Sequence, residues 1–476
     1  MIRGLLPGRF GRDVLTLATG AALAQFLSAA AAPVLARLFS PAEFGQFALF
    51  VAVLSVIGVV ACGRYELSVT LPESDADAAD VLAIAASLGV ASSLLALAAT
   101  ALFRHPLAAW LRAPGMDRWL WLLPVSLLGT AAYQPLTYWA LRRRRFAALA
   151  TSRAAQSGGR AGGQVLAGSL GAGPAGLIVG QILGQFAAFF ALGGLLARGD
   201  RGLPPVTFSA AAIKRLAVRY ARFPKFATGS TLLHSISEQL PALALGHAFG
   251  AATVGLFVAA QRLAHAPLNL LAASMSQAFL PRASEARIRG ALGEESLAVF
   301  RRCVGISLVP TCVLVLTASD LVTIVLGEPW RASGAYLRWL GVWLACSFPF
   351  VVLAQLFAVM EKQSEGLLYH AIYAVAVFAS LVAGVLRNDA SLAVALFAGA
   401  GGGARIAACF WLLAAAGNRA GSAASVLGGE ALGAAPYVVP FALVRRALPP
   451  PARLAVGVVV VGVHAYRRWG RASTLA

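Results

Sequence analysis

The chain has 476 residues, 59% of them hydrophobic and only 12% charged, with a mean hydropathy of +0.76. A soluble domain carries about 25% charged residues, and a soluble chain of this length would need far more polar surface to coat its cores. A soluble enzyme, a disordered chain and a collagen-like fibre are therefore excluded. The net charge of +20 is scattered among long apolar runs, as in the loops of a polytopic membrane protein, and not gathered into a nucleic-acid surface.

At roughly 20 apolar residues per crossing, spans are expected near 14–36, 44–63, 81–103, 119–141, 149–171, 174–197, 226–248, 254–280, 303–326, 335–360, 366–386, 390–416, 422–444 and 454–466. The first follows Arg3, Arg9 and Arg12 and is interrupted by Thr16, Thr19, Gln25 and Ser28. It is too long for a cleaved leader and is taken as a membrane helix. The end of the ninth run, around Asp320, is expected to be an interfacial turn. The thirteenth carries Glu430 and several glycines, and the fourteenth is short unless Pro449 to Pro451 lie in the interface. The count is fourteen, with twelve as the fallback.

With the N-terminus inside, 24 of the 39 basic residues fall in cytoplasmic segments and termini, which predicts N-in and C-in. The acidic loop of Glu73, Asp75, Asp77 and Asp80 is the one discord. The largest hydrophilic segment, 198–225, reads as a cytoplasmic linker whose amphipathic helix groups Ile213, Leu216, Ala217 and Tyr220 on one face.

That linker separates two similar halves. Ala-Thr-Gly occurs at 18–20 and 227–229. Phe39, Gly45 and Phe47 recur as Phe249, Gly255 and Phe257, an offset of 210, and Leu71-Pro72 recurs as Leu280-Pro281. Six spans per half is an even number, so both halves insert the same way, a parallel repeat typical of transporters with a substrate site between the halves. The expected fold class is an all-α polytopic membrane protein. It comprises an N-terminal six-helix lobe (1–197), the linker (198–225), a second six-helix lobe (226–416) and two additional C-terminal helices (417–476). The lobes are related by a pseudo-two-fold axis along the membrane normal.

Ionisable residues inside spans are expensive and need a partner or a wet cavity. Arg153, Gln156, Arg160 and Gln164 share one helical face, with Gly158, Gly159, Gly162 and Gly163 beside them to permit close helix approach. Ser230, His234, Glu238 and Pro241 form a second stripe. Arg262, His265, Asn269 and Ser276 form a third, and Arg405 stands alone after Gly401 to Gly403. The bland reading is an interhelical network that holds the bundle together. The functional reading is a cationic cavity for an anionic substrate, built from Arg153, Arg160, Gln164, Arg262, His265 and Asn269. His234 and Glu238 are candidates for coupling to a proton or sodium ion, or Glu238 is a neutral partner of Arg262. Arg64, Glu66 and Arg405 are structural or gating candidates. Because residues two apart do not face each other on a helix, Arg64 and Glu66 are not expected to pair. The five cysteines lie in apolar runs without metal-type spacing and read as small core residues. No Walker motif, GxSxG or zinc spacing is present in the sequence. No enzymatic activity and no cofactor is expected.

The segment from Leu35 through Ser40-Pro41-Ala42-Glu43-Phe44-Gly45 resembles the Wzx-type polysaccharide flippases of the multidrug/oligosaccharidyl-lipid/polysaccharide exporter superfamily. The likeness continues at Gly63-Arg64-Tyr65-Glu66-Leu67 through Leu71-Pro72, at Tyr220 to Lys225, at Val254 to Phe257 and at Gln277 to Glu285. It ends at Gly327-Glu328-Pro329-Trp330-Arg331-Ala332-Ser333-Gly334. The resemblance implies a non-enzymatic flippase of the bacterial inner membrane. Its substrate would be an undecaprenyl-diphosphate-linked oligosaccharide repeat unit, moved by alternating access for O-antigen, capsule or exopolysaccharide assembly. Membrane lipids, a polysaccharide polymerase and a chain-length regulator are the implied partners, and nucleic acid is not one. The family motifs do not map onto Arg153, Arg160, Glu238 or Arg262. The family-like turn at Ser40 to Gly45, and Trp330 at the outer interface, are expected to be structural. A multidrug exporter of the same fold would favour an acidic, aromatic cavity. A membrane polymerase or ligase would need a longer outside loop than any present, and a glycan-assembly scaffold without transport is the remaining alternative.

Overall fold

The structure, a computed structural model, describes residues 9–198 and 210–473. The side chains of 9–18, 21, 226, 230, 266–270, 273, 420 and 469–473 lie outside the description. Among the described residues the chain is helical, with no strand. The helices are α1 (Arg9–Leu38), α2 (Pro41–Val60), α3 (Asp75–Trp110), α4 (Met116–Trp119), α5 (Leu123–Arg142), α6 (Phe146–Ser169), α7 (Pro174–Ala197), α8 (Ala210–Arg219) and α9 (Thr228–Phe249). They continue with α10 (Ala251–Ile288), α11 (Leu292–Leu326), α12 (Ser333–Leu353), α13 (Gln355–Val359), α14 (Gln363–Leu386), α15 (Ala390–Ala415), α16 (Ala420–Val444) and α17 (Pro450–Ser473). Each expected span falls on one long helix, except that 119–141 begins in α4 ahead of α5 and 335–360 runs through α12 and α13, and eight described helices are apolar and long enough to cross a bilayer by length and composition alone. The stripe-bearing α6 is not among those eight. The protein is a polytopic α-helical membrane protein.

One correction concerns a helix end. Asp320 is not in a turn: α11 runs unbroken to Leu326 and stops where Gly327 takes φ +102°, followed by Pro329. Trp330 is packed inside the protein. The short 3₁₀ turn Glu328–Trp330 folds its ring inward, and it is 1% exposed.

The chain forms two compact units, Met1–Gly255 and Leu256–Ala476. In the first, α6 packs on α1 and α7, α5 on α3 and α7, and α2 on α5, α7 and α9. In the second, α12 packs on α11 and α15, α14 on α15, and α11 on α16 and α17.

The Ser-Pro-Ala-Glu-Phe-Gly segment explains itself physically. Ser40 caps α2 by accepting from the Glu43 N–H, while the Glu43 carboxylate accepts from the Ser40 N–H at 2.7 Å. Pro41 takes the first helical position, where its missing N–H costs nothing. Gly45 then meets the first turn of α10. A Cβ on Gly45 would overlap the carbonyl of Ala251, and a Cβ on Gly255 would overlap the carbonyl of Pro41. Residues 41 and 45 stand 210 positions before 251 and 255, the offset of the sequence repeat. The contact is therefore reciprocal: each copy's glycine receives the other copy's first-turn backbone, as in a self-complementary two-fold contact.

Candidate functional site

The turn between α2 and α3 brings the first charged pair together. Arg64 adopts φ +60°, a left-handed conformation, and Tyr65–Thr70 is a 3₁₀ helix. The chain has left the α-helix there, so the helical spacing rule does not apply and Arg64 does pair with Glu66, at 3.3 Å. Glu66 is 1% exposed. Burial pushes its carboxyl above the ordinary carboxylate range, against the opposing pull of a backbone hydrogen bond and of Arg64. The sign follows directly. At low pH the carboxyl is neutral in both folded and unfolded chains. As pH rises past the ordinary value toward the raised folded one, the unfolded chain ionises first and the fold loses stability. Glu66→Gln, which keeps an acceptor for Arg64, is expected to melt with wild type near about pH 4 and above it at neutral pH. A wild type more stable than the glutamine variant at neutral pH would refute this.

The acidic run beside that turn has partners. Asp75 accepts from Arg142 at 3.1 Å and pairs with Arg143 at 2.7 Å, and Asp77 pairs with Arg215 of α8 at 2.7 Å. The Tyr65 hydroxyl donates to the Ala217 carbonyl at 2.9 Å, and Leu216 and Tyr220 are buried. These acids thus serve as docking points for the neighbouring basic residues and for α8.

On α6 the stripe divides by depth. Gln164 is 5% exposed and its amide donates to the Leu177 carbonyl of α7 at 2.9 Å. That hydrogen bond ties the Gln164 amide to the α6–α7 pair. That pair is close because α7 presents Gly176, Gly180 and Gly184 at four-residue spacing. A Cβ on Gly184 would lie 2.8 Å from the Arg160 Cβ. Gly159 and Gly163 face α7, whereas a Cβ on Gly158 or Gly162 would meet open space. Half-buried Arg160 donates to the Ser28 hydroxyl of α1 at 3.0 Å and reaches the Gln181 side-chain oxygen of α7 at 3.5 Å. Its described partners are neutral. Arg153, two turns away on the same face, is also half-buried. The sequence reading missed the α7 glycines and the Ser28 and Gln181 partners. The regular glycine spacing was a signal for the former.

His234 and Glu238 are both exposed on α9, one turn apart. The Ser230 and Asn269 side chains lie outside the described residues. Arg262 is exposed on α10, and His265 is half-buried on the same helix. In the second unit the structure joins two residues that the sequence kept apart. The His265 ring stacks on Trp343 of α12, centroids 5.1 Å apart and 12° between planes. The Arg405 guanidinium of α15 lies over Trp343 at 4.2 Å, Tyr373 of α14 at 5.0 Å and Phe350 of α12 at 6.0 Å. Arg405 also donates to the Ser347 hydroxyl. A central guanidinium costs about 2.5–3.5 kcal/mol on insertion scales, and a desolvated cation–π contact returns about 2 kcal/mol. The rings thus offset much of the cost of the buried charge. Aromatic partners on two other helices left no sign in the spacing around Arg405.

A third set of charges secures the C-terminal helices. Arg453 of α17 pairs with Asp320 of α11 at 3.2 Å, and Arg468 of α17 pairs with Glu430 of α16. His464 lies 3.0 Å from the Gly305 carbonyl of α11 through its Nε2. Among the described residues there is no cluster of His, Cys, Asp and Glu that could hold a metal ion.

A family model described as "Polysaccharide biosynthesis protein" matches residues 34–335. Comparison with curated protein sequences gives no match. Among solved structures, the fold is similar to the lipid II flippase MurJ in an inward closed conformation. The TM-score is 0.76 at 12% identity, over 96% of this chain and 99% of that one. It is also similar to an inward-facing multidrug resistance MATE family transporter of the MOP superfamily. There the TM-score is 0.57 at 16% identity, over 82% of this chain and 95% of that one. At these identities the likeness establishes the fold alone. The family match spans the stretch in which the sequence resemblance lies, and the chain belongs to the polysaccharide biosynthesis protein family, on the MOP superfamily fold.

Proposed function

We propose that this protein is a flippase carrying undecaprenyl-diphosphate-linked oligosaccharide units from the cytoplasmic to the outer leaflet of a bacterial inner membrane, for O-antigen, capsule or exopolysaccharide assembly. Family membership over residues 34–335 carries this reading. The transporter fold supports it, as does the basic character of the polar stripes. A diphosphate bearing sugars cannot cross about 30 Å of hydrocarbon unaided. Guanidinium groups bind phosphate oxygens in a bidentate fork. Arg153, Arg160, Gln164 and Arg262, with His265 and Asn269, are the groups proposed to meet the head group during alternating access. His234 and Glu238 are proposed for ion coupling. The proposal includes fourteen crossings with both termini cytoplasmic, six-helix lobes at 1–197 and 226–416 joined by the 198–225 linker, and 417–476 as two added helices. A polymerase and a chain-length regulator are its proposed partners.

The test is reconstitution in proteoliposomes with a fluorescent lipid-diphosphate oligosaccharide, reading its accessibility from each side. Arg160→Ala and Arg262→Ala are each expected to slow translocation by at least about tenfold, the worth of one charge-assisted hydrogen bond, with the protein still folded by size exclusion. Full-rate translocation in both variants would remove the cationic path, and no translocation by wild type would remove the flippase reading.

A further inference from the structure

The Arg405 cluster has more donors than the protein satisfies. The Arg405 Nε, Trp343 Nε1, Tyr369 hydroxyl and His265 Nε2 are all buried with no hydrogen-bond partner among the described residues. They come from α10, α12, α14 and α15, all in the second unit. The Trp343 side chain that bears one of them belongs to a residue only 8% exposed. Tyr369 and Tyr373 stand side by side, ring centroids 6.0 Å apart. No carboxylate among the described residues pairs with Arg405, whose described polar contact is the Ser347 hydroxyl. Two of these groups, the guanidinium and the indole, can only donate, whereas the phenol oxygen and a neutral imidazole nitrogen can also accept. A guanidinium N–H, an indole N–H and a phenol O–H can all donate, and an indole nitrogen cannot accept. Buried donors without acceptors are unfavourable, and a buried cation without an anion more so. Structural packing alone would be served by an apolar residue at 405.

We infer that this cluster is a binding site for a small monovalent inorganic anion of chloride size, held by the Arg405 guanidinium and the Trp343 indole N–H, with the Tyr369 hydroxyl alongside. Size follows from Gly401, one turn before Arg405 on α15. A Cβ there would stand 2.9 Å from the Trp343 Nε1 and 3.4 Å from the Tyr373 hydroxyl. The gap between Gly401 and the indole N–H is therefore narrower than one methyl group, which leaves no room on that side for a sugar or a diphosphate. The site needs no lipid substrate; of its groups only His265 is shared with the proposed head-group path, and the variants of the test leave His265 in place.

The test uses the purified full-length protein in detergent. Its unfolding midpoint is measured in sodium chloride, bromide, gluconate and phosphate at equal ionic strength. Chloride and bromide are expected to raise the midpoint saturably above gluconate, by mass action on the folded state. Arg405→Gln is expected to abolish that difference. Trp343→Phe, which keeps the ring and removes the donor, and Gly401→Ala are expected to shrink it, so that the conclusion survives a poorly folding Arg405 variant. Arg331→Gln, which removes an exposed charge, is the control and keeps the full response. No halide difference in wild type, or an undiminished one in the Arg405, Trp343 and Gly401 variants, would overturn the proposal. A rise with phosphate but not with chloride would also overturn it, and would assign the donors to a phosphate group.

Discussion

Gly255→Ala is expected to lower the yield of folded protein sharply, and Gly255→Val to abolish it. In an ordinary helix alanine is more favourable than glycine by about 1 kcal/mol, so the sign itself is the test. Here the added Cβ would overlap the Pro41 carbonyl, with the Gly45 nitrogen 3.0 Å away. A backbone oxygen inside a helix cannot rotate aside as a side chain would. The cost belongs at or above the upper end of overpacking, at least about 3 kcal/mol. Gly45→Val is expected to behave the same way, because the contact is reciprocal. The double variant is expected to cost little more than either single one, since separating the two helices once relieves both clashes. Thermal melts and monodisperse yield after detergent extraction provide the readout. A Gly255→Ala variant more stable than wild type would refute the crossing.

The second large effect lies in the C-terminal helices. Arg468→Met is expected to destabilise the protein by about 3–5 kcal/mol, the cost of stranding a buried charge. Glu430 is the group stranded: its side chain is 13% exposed, on a helix otherwise rich in apolar residues. The double variant Glu430→Leu/Arg468→Met is expected to recover most of that loss, because the pair's mutual attraction roughly balances its desolvation. Denaturation midpoints of the two single variants and the double variant close the cycle. Additive losses would show that the two residues are not coupled.

The long helices were legible because hydrophobic length and period are local properties. The stripe on α6 was equally legible, since Arg153, Gln156, Arg160 and Gln164 announce one face by spacing alone. What that face touches was not, because Ser28 lies 132 residues away from Arg160 in the chain. The Arg64–Glu66 pair was hidden for a different reason. The spacing rule assumes an α-helix, and nothing local marks Arg64 as the residue that takes φ +60°. Arg405 looked solitary because a search for opposite charges overlooks rings as partners of a cation. The repeat at an offset of 210 was readable, but its meaning as a contact appears only when Gly45 and Ala251 are seen together.

The ion pairs of α17 also constrain the order in which the protein is made. Asp320 precedes Arg453 by 133 residues, and Glu430 precedes Arg468 by 38. At about 5–20 residues per second of synthesis, the first carboxylate waits roughly 7–27 s for its cation and the second roughly 2–8 s. During that interval the end of α11 is a membrane helix carrying an acid that its partner has yet to reach. Its favoured resting place is the bilayer surface. A helix made much later is thus the one that lets α11 settle. A stop codon ahead of Pro450 would strip two carboxylates, on α11 and α16, of the guanidinium groups that hold them.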